Sequence, residues 1–164
     1  MKVWRTLRYA APPDVVCDML IAADFQSRIA AAIEAPECSI VAEPNKVTTI
    51  MLIPTAESLG EVAGAYSRQT GVLEWLTPLQ NGRREGRLAV QIDRFPVHFS
   101  SRIWVTFADG VTQVNYDADL NFDIPVLERS NAQAVADRTS NIIGLNQRLG
   151  EQWLRDLGIA HPEV

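Results

Sequence analysis

Residues 112–158 read TQVNYDADLNFDIPVLERSNAQAVADRTSNIIGLNQRLGEQWLRDLG, and two periods follow one another within them. Val114, Tyr116, Ala118, Leu120, Phe122 and Ile124 alternate with Gln113, Asn115, Asp117, Asp119, Asn121 and Asp123. A period of two with one apolar side is a strand buried on one face and wet on the other. Pro125 ends it, because proline cannot donate to a ladder. The spacing then changes to threes and fours through Ala132, Val135, Thr139, Ile142, Asn146, Leu149 and Trp153, the apolar stripe of a long helix. At 1.5 Å per residue, about 27 residues of it span ~40 Å, enough to cross several strands. Its start falls at Val126 or at Ser130, where Ser130 and Gln133 have the spacing of a capping box. A strand face and a helix face made in succession predict an α+β fold, a sheet wrapped on a helix.

The strands preceding this pair follow from the same alternation. Lys2 to Ala10 forms the first, with Val3, Leu7 and Tyr9 on one side and Trp4 opposite. Pro12-Pro13-Asp14 stops it and starts a short helix carrying Val15, Val16, Met19 and Leu20. A second short helix runs to Ile33 with Asp24 as its expected cap, and Pro36 ends the pair. Six further strands are expected at about Cys38–Glu43, Lys46–Ile53, Gly71–Thr77, Glu85–Ile92, Val97–Phe107 and Val111–Asp123, making about seven in all. Residues 54–70, with Gly60 and Gly64, form the longest connection and the expected mobile flap.

Closing the hairpins on their turns sets the register. Asp109-Gly110 places Val105 opposite Val114, Ile103 opposite Tyr116, Ser101 opposite Ala118 and Phe99 opposite Leu120. Arg102 then meets Asp117, and His98 meets Asn121, on the outer face. A one-residue slip would invert every pair, so the register is well specified. The Arg94-Phe95 loop places Val90 opposite Phe99 and Leu88 opposite Ser101. Closing Asn81-Gly82 in the same way places Trp75 opposite Leu88 and Leu73 opposite Val90.

Side chains facing a covering helix at mid-sheet are ordinarily large, yet Ser101 and Ala118 lie side by side with Gly86 beside Ile103. That leaves room for a small molecule. Trp75, Phe99 and Tyr116 are its expected walls and Ser101 and Ala118 its floor, with Leu88, Val90, Ile103 and Leu120 as further apolar ligand contacts. Thr139, Ile142, Asn146 and Leu149 face it from the helix. A mostly apolar cavity with a few convergent polar groups is the general form of a ligand site. The alternative from pattern alone is a satisfied core in which Tyr116 and Asn146 bond each other or the backbone.

Composition excludes other classes. The 164 residues are 47% hydrophobic and 21% charged, an ordinary globular composition for one expected domain. A net charge of -5 with scattered basic residues argues against nucleic acid. No apolar run approaches the ~18 residues of an integral membrane segment. The N-terminus enters a strand pattern without a signal-peptide apolar region, so the cytoplasm is the expected compartment. Cys17 and Cys38 lack the spacing of a metal or redox site, and both are expected to be small buried hydrophobes.

No catalytic residue is assigned, and no metal or cofactor is expected. His98 maps to the outer face and His161 to the tail, while Asp117, Asp119, Asp123 and Glu74 all map outside. General acid–base chemistry near neutral pH would want one of these inside the cavity. Ser101 likewise has no inward histidine to activate it.

The order of elements resembles the helix-grip fold of the START-like (SRPBCC) superfamily, which includes lipid-transfer domains, pollen-allergen-like proteins and aromatase/cyclases. More narrowly it resembles a bacterial family of unknown function within that superfamily. The residues that carry the resemblance are GVLEWLTP at Gly71–Pro78, GRREGRLAV at Gly82–Val90, DIPVLERSNAQ at Asp123–Gln133 and EQWLRDLG at Glu151–Gly158. The resemblance implies a cavity between sheet and helix that binds a hydrophobic molecule, a lipid or polyketide-like aromatic, with no catalytic residues to carry over. Two other functions stay open. One is a cyclase/dehydratase-type enzyme in the same cavity, with Tyr116 as acid. The other is a protein-interaction module docking through its edge strand or through Trp4 and Trp104, and a homodimer is a candidate assembly of the chain.

Overall fold

The computed structural model describes residues 2–54, 66–93, 97–122 and 129–159. Strand β1 (Lys2–Tyr9) is followed by helices α1 (Pro13–Leu20) and α2 (Ala23–Ala32). Strands β2 (Cys38–Glu43), β3 (Lys46–Pro54), β4 (Tyr66–Trp75), β5 (Arg84–Ile92), β6 (Val97–Ala108) and β7 (Val111–Phe122) come next. The 28-residue helix α3 (Arg129–Asp156) closes the order. The strands form one antiparallel sheet in the order β1-β7-β6-β5-β4-β3-β2. This is an α+β helix-grip architecture. The chain meanders from β2 to β7, and β1 closes on the far side of β7 with Leu7 opposite Val114 and Arg5 opposite Tyr116.

The β6–β7 hairpin has the register expected from its turn, with Ser101 opposite Ala118 and Ile103 opposite Tyr116. The turn residue Asp109 takes φ 54° and Gly110 φ 77°, the left-handed pair that a tight two-residue hairpin requires. The β5–β6 pairing also agrees, with Val90 opposite Phe99 and Leu88 opposite Ser101.

The β4–β5 pairing differs by two residues. Leu73 faces Leu88, Gly71 faces Val90 and Trp75 faces Gly86. The Asn81-Gly82 turn does close on a Gln80–Arg83 bridge, but the ladder does not run on from it. The Leu76 and Thr77 amides both donate to the Glu85 carbonyl, at 2.9 and 3.3 Å, and Pro78 has no amide to give. The extra residues on the β4 side shift the register by an even number, so every side chain keeps its face.

Three other expectations are corrected. Residues 66–70 are strand, not connection, and pair with β3 from Pro54 opposite Tyr66 to Ile50 opposite Thr70. Polar Ser67 and Gln69 occupy the inner face there and break the apolar alternation. Asp24 does not cap α2; the cap position is Ala22, with no side-chain bond, and Asp24 lies in the first turn, where its charge favours the helix dipole. Cys17 is buried but Cys38 is exposed, because β2 is the edge strand and is almost wholly open to solvent. The Arg94-Phe95 loop, most of the 54–70 flap, the Pro125 junction, the Ser130 side chain and His161 lie outside what is described.

Helix α3 packs on β1 and α2. Two glycines permit that approach. A Cβ on Gly150 would lie 2.5 Å from Tyr9 Cε1 and 3.0 Å from Met19 Cε. A Cβ on Gly144 would collide with the Arg5 guanidinium. The Tyr9 hydroxyl donates to the Asn146 carbonyl at 2.9 Å. Gln147 accepts from the Arg8 amide at 2.6 Å and donates back to the Arg8 carbonyl, covering part of an edge strand that would otherwise stand open. The helix therefore lies toward the β1 side of the sheet. Space remains under its other flank.

Candidate functional site

That space is bounded by α3, α2 and the inner faces of β3, β4 and β5. It forms a cavity of about 100 Å³ and a second chamber of about 70 Å³. The two share the walls Gln69, Leu88, Val90, Ile142 and Ile143. The larger chamber adds Val47, Thr49, Met51, Gly71 and Leu73 from β3 and β4, and Leu20, Gln26, Ile29 and Ile33 from the short helices. Tyr116 and Asn146 complete it. Phe99, Leu120, Ile92 and Thr139 line the smaller one.

Of the expected site residues, Leu88, Val90, Phe99, Tyr116, Leu120, Thr139, Ile142 and Asn146 are brought together on these walls. Trp75, Ser101, Ile103, Ala118 and Leu149 are not. Trp75 lies over Gly86, where a Cβ would sit 2.8 Å from indole Cε3, and its Nε1 donates to the Cys17 carbonyl at 3.1 Å. Gly86 thus makes room for an indole. Ser101 and Ala118 are buried in the expected pair, and the Ser101 hydroxyl donates to the Arg102 carbonyl at 3.0 Å. Ile103 is fully enclosed, and Leu149 packs on the same core.

Several wall residues were missed because they belong to elements that sequence reasoning gave no inward role. Gln26 and Ile29 of α2, with Ile33 at its C-terminal cap, carried a weak signal in their helical spacing. Gly71 lies inside β4, where a strand glycine often marks close approach, but the expected strand began at that residue, which hid the signal. Gln69 had none, since residues 54–70 read as a connection.

The polar groups at the cavity are few and unusually placed. The Tyr116 hydroxyl and Asn146 Oδ1 are buried and have no hydrogen-bond partner in the protein. They bond neither each other nor backbone, which removes the satisfied-core alternative for this pair. Burial pushes the Tyr116 hydroxyl far above the usual phenol range, so it stays protonated. No carboxylate or imidazole is among the described wall residues. Arg5 Nε is a third buried orphan, but Arg5 lies against Gly144 and lines neither chamber.

The outer face is different in kind. Lys2 pairs with Asp119 at 2.8 Å, Arg87 with Glu74 at 2.7 Å and Arg102 with Glu85 at 2.8 Å. Trp4, 61% exposed, meets the edge of Trp104 at 5.4 Å between centroids. Such exposed ion pairs are worth little each. Among the described residues no group of three or more potential metal ligands occurs, and no helix is long and apolar enough to cross a membrane.

Residues 5–154 match the family described as protein of unknown function DUF2505. The chain belongs to that family. No curated protein matches the sequence. Among solved structures, this DUF2505 chain is similar to a START superfamily protein from Mycobacterium smegmatis, at TM-score 0.55 and 16% identity, over 95% of this chain and 98% of that one. It is similar to Ara h 8.0201 at TM-score 0.60 and 12% identity, over 95% and 98%. It is similar to PFC0360w, an HSP90 activator from Plasmodium falciparum, at TM-score 0.52 and 13% identity, over 96% of each. At these identities the likeness is one of fold, the START-like helix-grip.

Proposed function

We propose that this protein binds a hydrophobic small molecule, of the lipid or polyketide-like aromatic class, between its sheet and α3. The observation that carries the reading is an apolar cavity bordered by two residues, Tyr116 and Asn146, whose buried polar atoms have no protein partner. An unpaired buried polar group costs about 1–3 kcal/mol, a cost that a bound molecule offsets. Size narrows the class. Sites for drug-sized ligands run to roughly 300–1,000 Å³, whereas an apolar cavity of about 150 Å³ holds benzene. Chambers of about 100 and 70 Å³ that share a wall together suit one or two rings or a short chain better than a two-tailed lipid.

Binding is favoured over the cyclase reading because Tyr116, held protonated by burial, is a poor proton source but a good hydrogen-bond donor. Native mass spectrometry of the freshly purified protein, with solvent extraction of the same sample, tests the proposal. A bound organic molecule is expected. Protein that carries none, and whose melting temperature no aromatic or short-chain hydrophobe raises at saturating concentration, would overturn it.

A further inference from the structure

We infer that the cavity's occupant carries a hydroxyl group, recognised by the Tyr116 hydroxyl and Asn146 Oδ1 acting as a donor–acceptor pair. The inference rests on the binding reading above and deepens it. Tyr116 borders the chamber from β7 and Asn146 from α3, so the two residues flank it from the sheet and from the helix, each with its polar atom buried. Neither has a partner in the protein. Tyr116 is 1% exposed and remains an O–H donor, while Asn146 Oδ1 only accepts.

The complement of one donor and one acceptor is a group that does both. A hydroxyl accepts from Tyr116 and donates to Asn146. A ketone or ether would leave Asn146 unpaired, and a hydrocarbon would leave both so. A carboxylate would set its charge against the Asn146 carbonyl oxygen on a wall with no lysine or arginine among the described residues. Together with the chamber volumes, this specifies a phenol or aromatic alcohol of one or two rings.

The test is titration calorimetry of the full chain with naphthalene, 2-naphthol and 2-naphthoate, repeated on Tyr116→Phe and Asn146→Leu. For the native sequence, 2-naphthol is expected to bind at least about tenfold more tightly than naphthalene, equivalent to ~1.4 kcal/mol, with 2-naphthoate weakest. In each variant the preference for 2-naphthol over naphthalene should shrink to within about threefold with naphthalene still bound, a pattern that general unfolding would not produce. Equal affinity for naphthalene and 2-naphthol, a preference for 2-naphthoate, or a preference that survives both substitutions would overturn the inference and leave the binding reading standing. Failure of all three probes to bind the native chain would instead strike at that reading.

Discussion

Tyr9 and Gly150 meet where only glycine fits: a Cβ at position 150 would come within 2.5 Å of Tyr9 Cε1 and 3.1 Å of Cζ. This contact fixes how closely α3 approaches β1, and so how much room remains on the helix's other side.

Gly150→Ala should therefore destabilise the protein, although alanine is the better helix former by about 1 kcal/mol. The buried Tyr9 ring and Met19 cannot both retreat, and overpacking of this kind costs roughly 1–3 kcal/mol. Gly144→Ala provides the contrast. There the added methyl meets the end of the flexible Arg5 side chain, so stability should be unchanged or slightly higher. Urea midpoints for the two variants should move apart, and a Gly150→Ala midpoint equal to the native one would show that the Tyr9 contact does not limit the helix position.

Tyr116→Phe removes a hydroxyl that has no protein partner. Without ligand, its unfolding free energy should be equal to that of the native chain or higher by up to about 1–3 kcal/mol. A loss above 1 kcal/mol would mean that the hydroxyl is bonded after all.

Trp75→Phe should cost about 1–3 kcal/mol. It breaks the Nε1 bond to the Cys17 carbonyl and opens space above Gly86. The loss should appear in chemical denaturation, with ligand affinity preserved because Trp75 is not on the cavity wall.

The two cysteines should behave differently. A thiol reagent at neutral pH should modify Cys38 in the native protein and reach Cys17 only after unfolding. Burial pushes the Cys17 thiol from 9.0 to about 11, opposed in part by Arg84. The folded form therefore holds this proton more tightly than the unfolded chain. The stabilisation is complete below pH 9 and drains away as pH climbs from 9 to about 11, at up to ~1.4 kcal/mol per unit. Cys17→Ala should flatten the stability profile across that window. An unchanged slope would assign the alkaline loss to other groups.

Much of the sheet was legible because its neighbours in space are its neighbours in sequence. The alternation from Val114 to Leu120, set against Phe99 to Val105 through the Asp109-Gly110 turn, leaves one register that buries every apolar side chain. The same logic failed between β4 and β5, where Leu76 and Thr77 both bond the Glu85 carbonyl and turn geometry no longer predicts the ladder. It failed again at Tyr66–Thr70, where inward Ser67 and Gln69 erase the apolar period. Cys38 was misplaced for a related reason, since its strand lies at the edge and a strand's exposure there depends on what else covers it.

By itself the sequence determined the strands, their antiparallel meander and the apolar stripe of the last helix, because each is written in short-range periodicity. Where the cavity lies was decided only in three dimensions. It moved from Ser101 and Ala118 toward β3, β4 and α2 because α3 is held against β1 at Gly150 and Gln147. Those contacts join residues more than a hundred positions apart, and no local period records how closely a helix and a distant strand will approach.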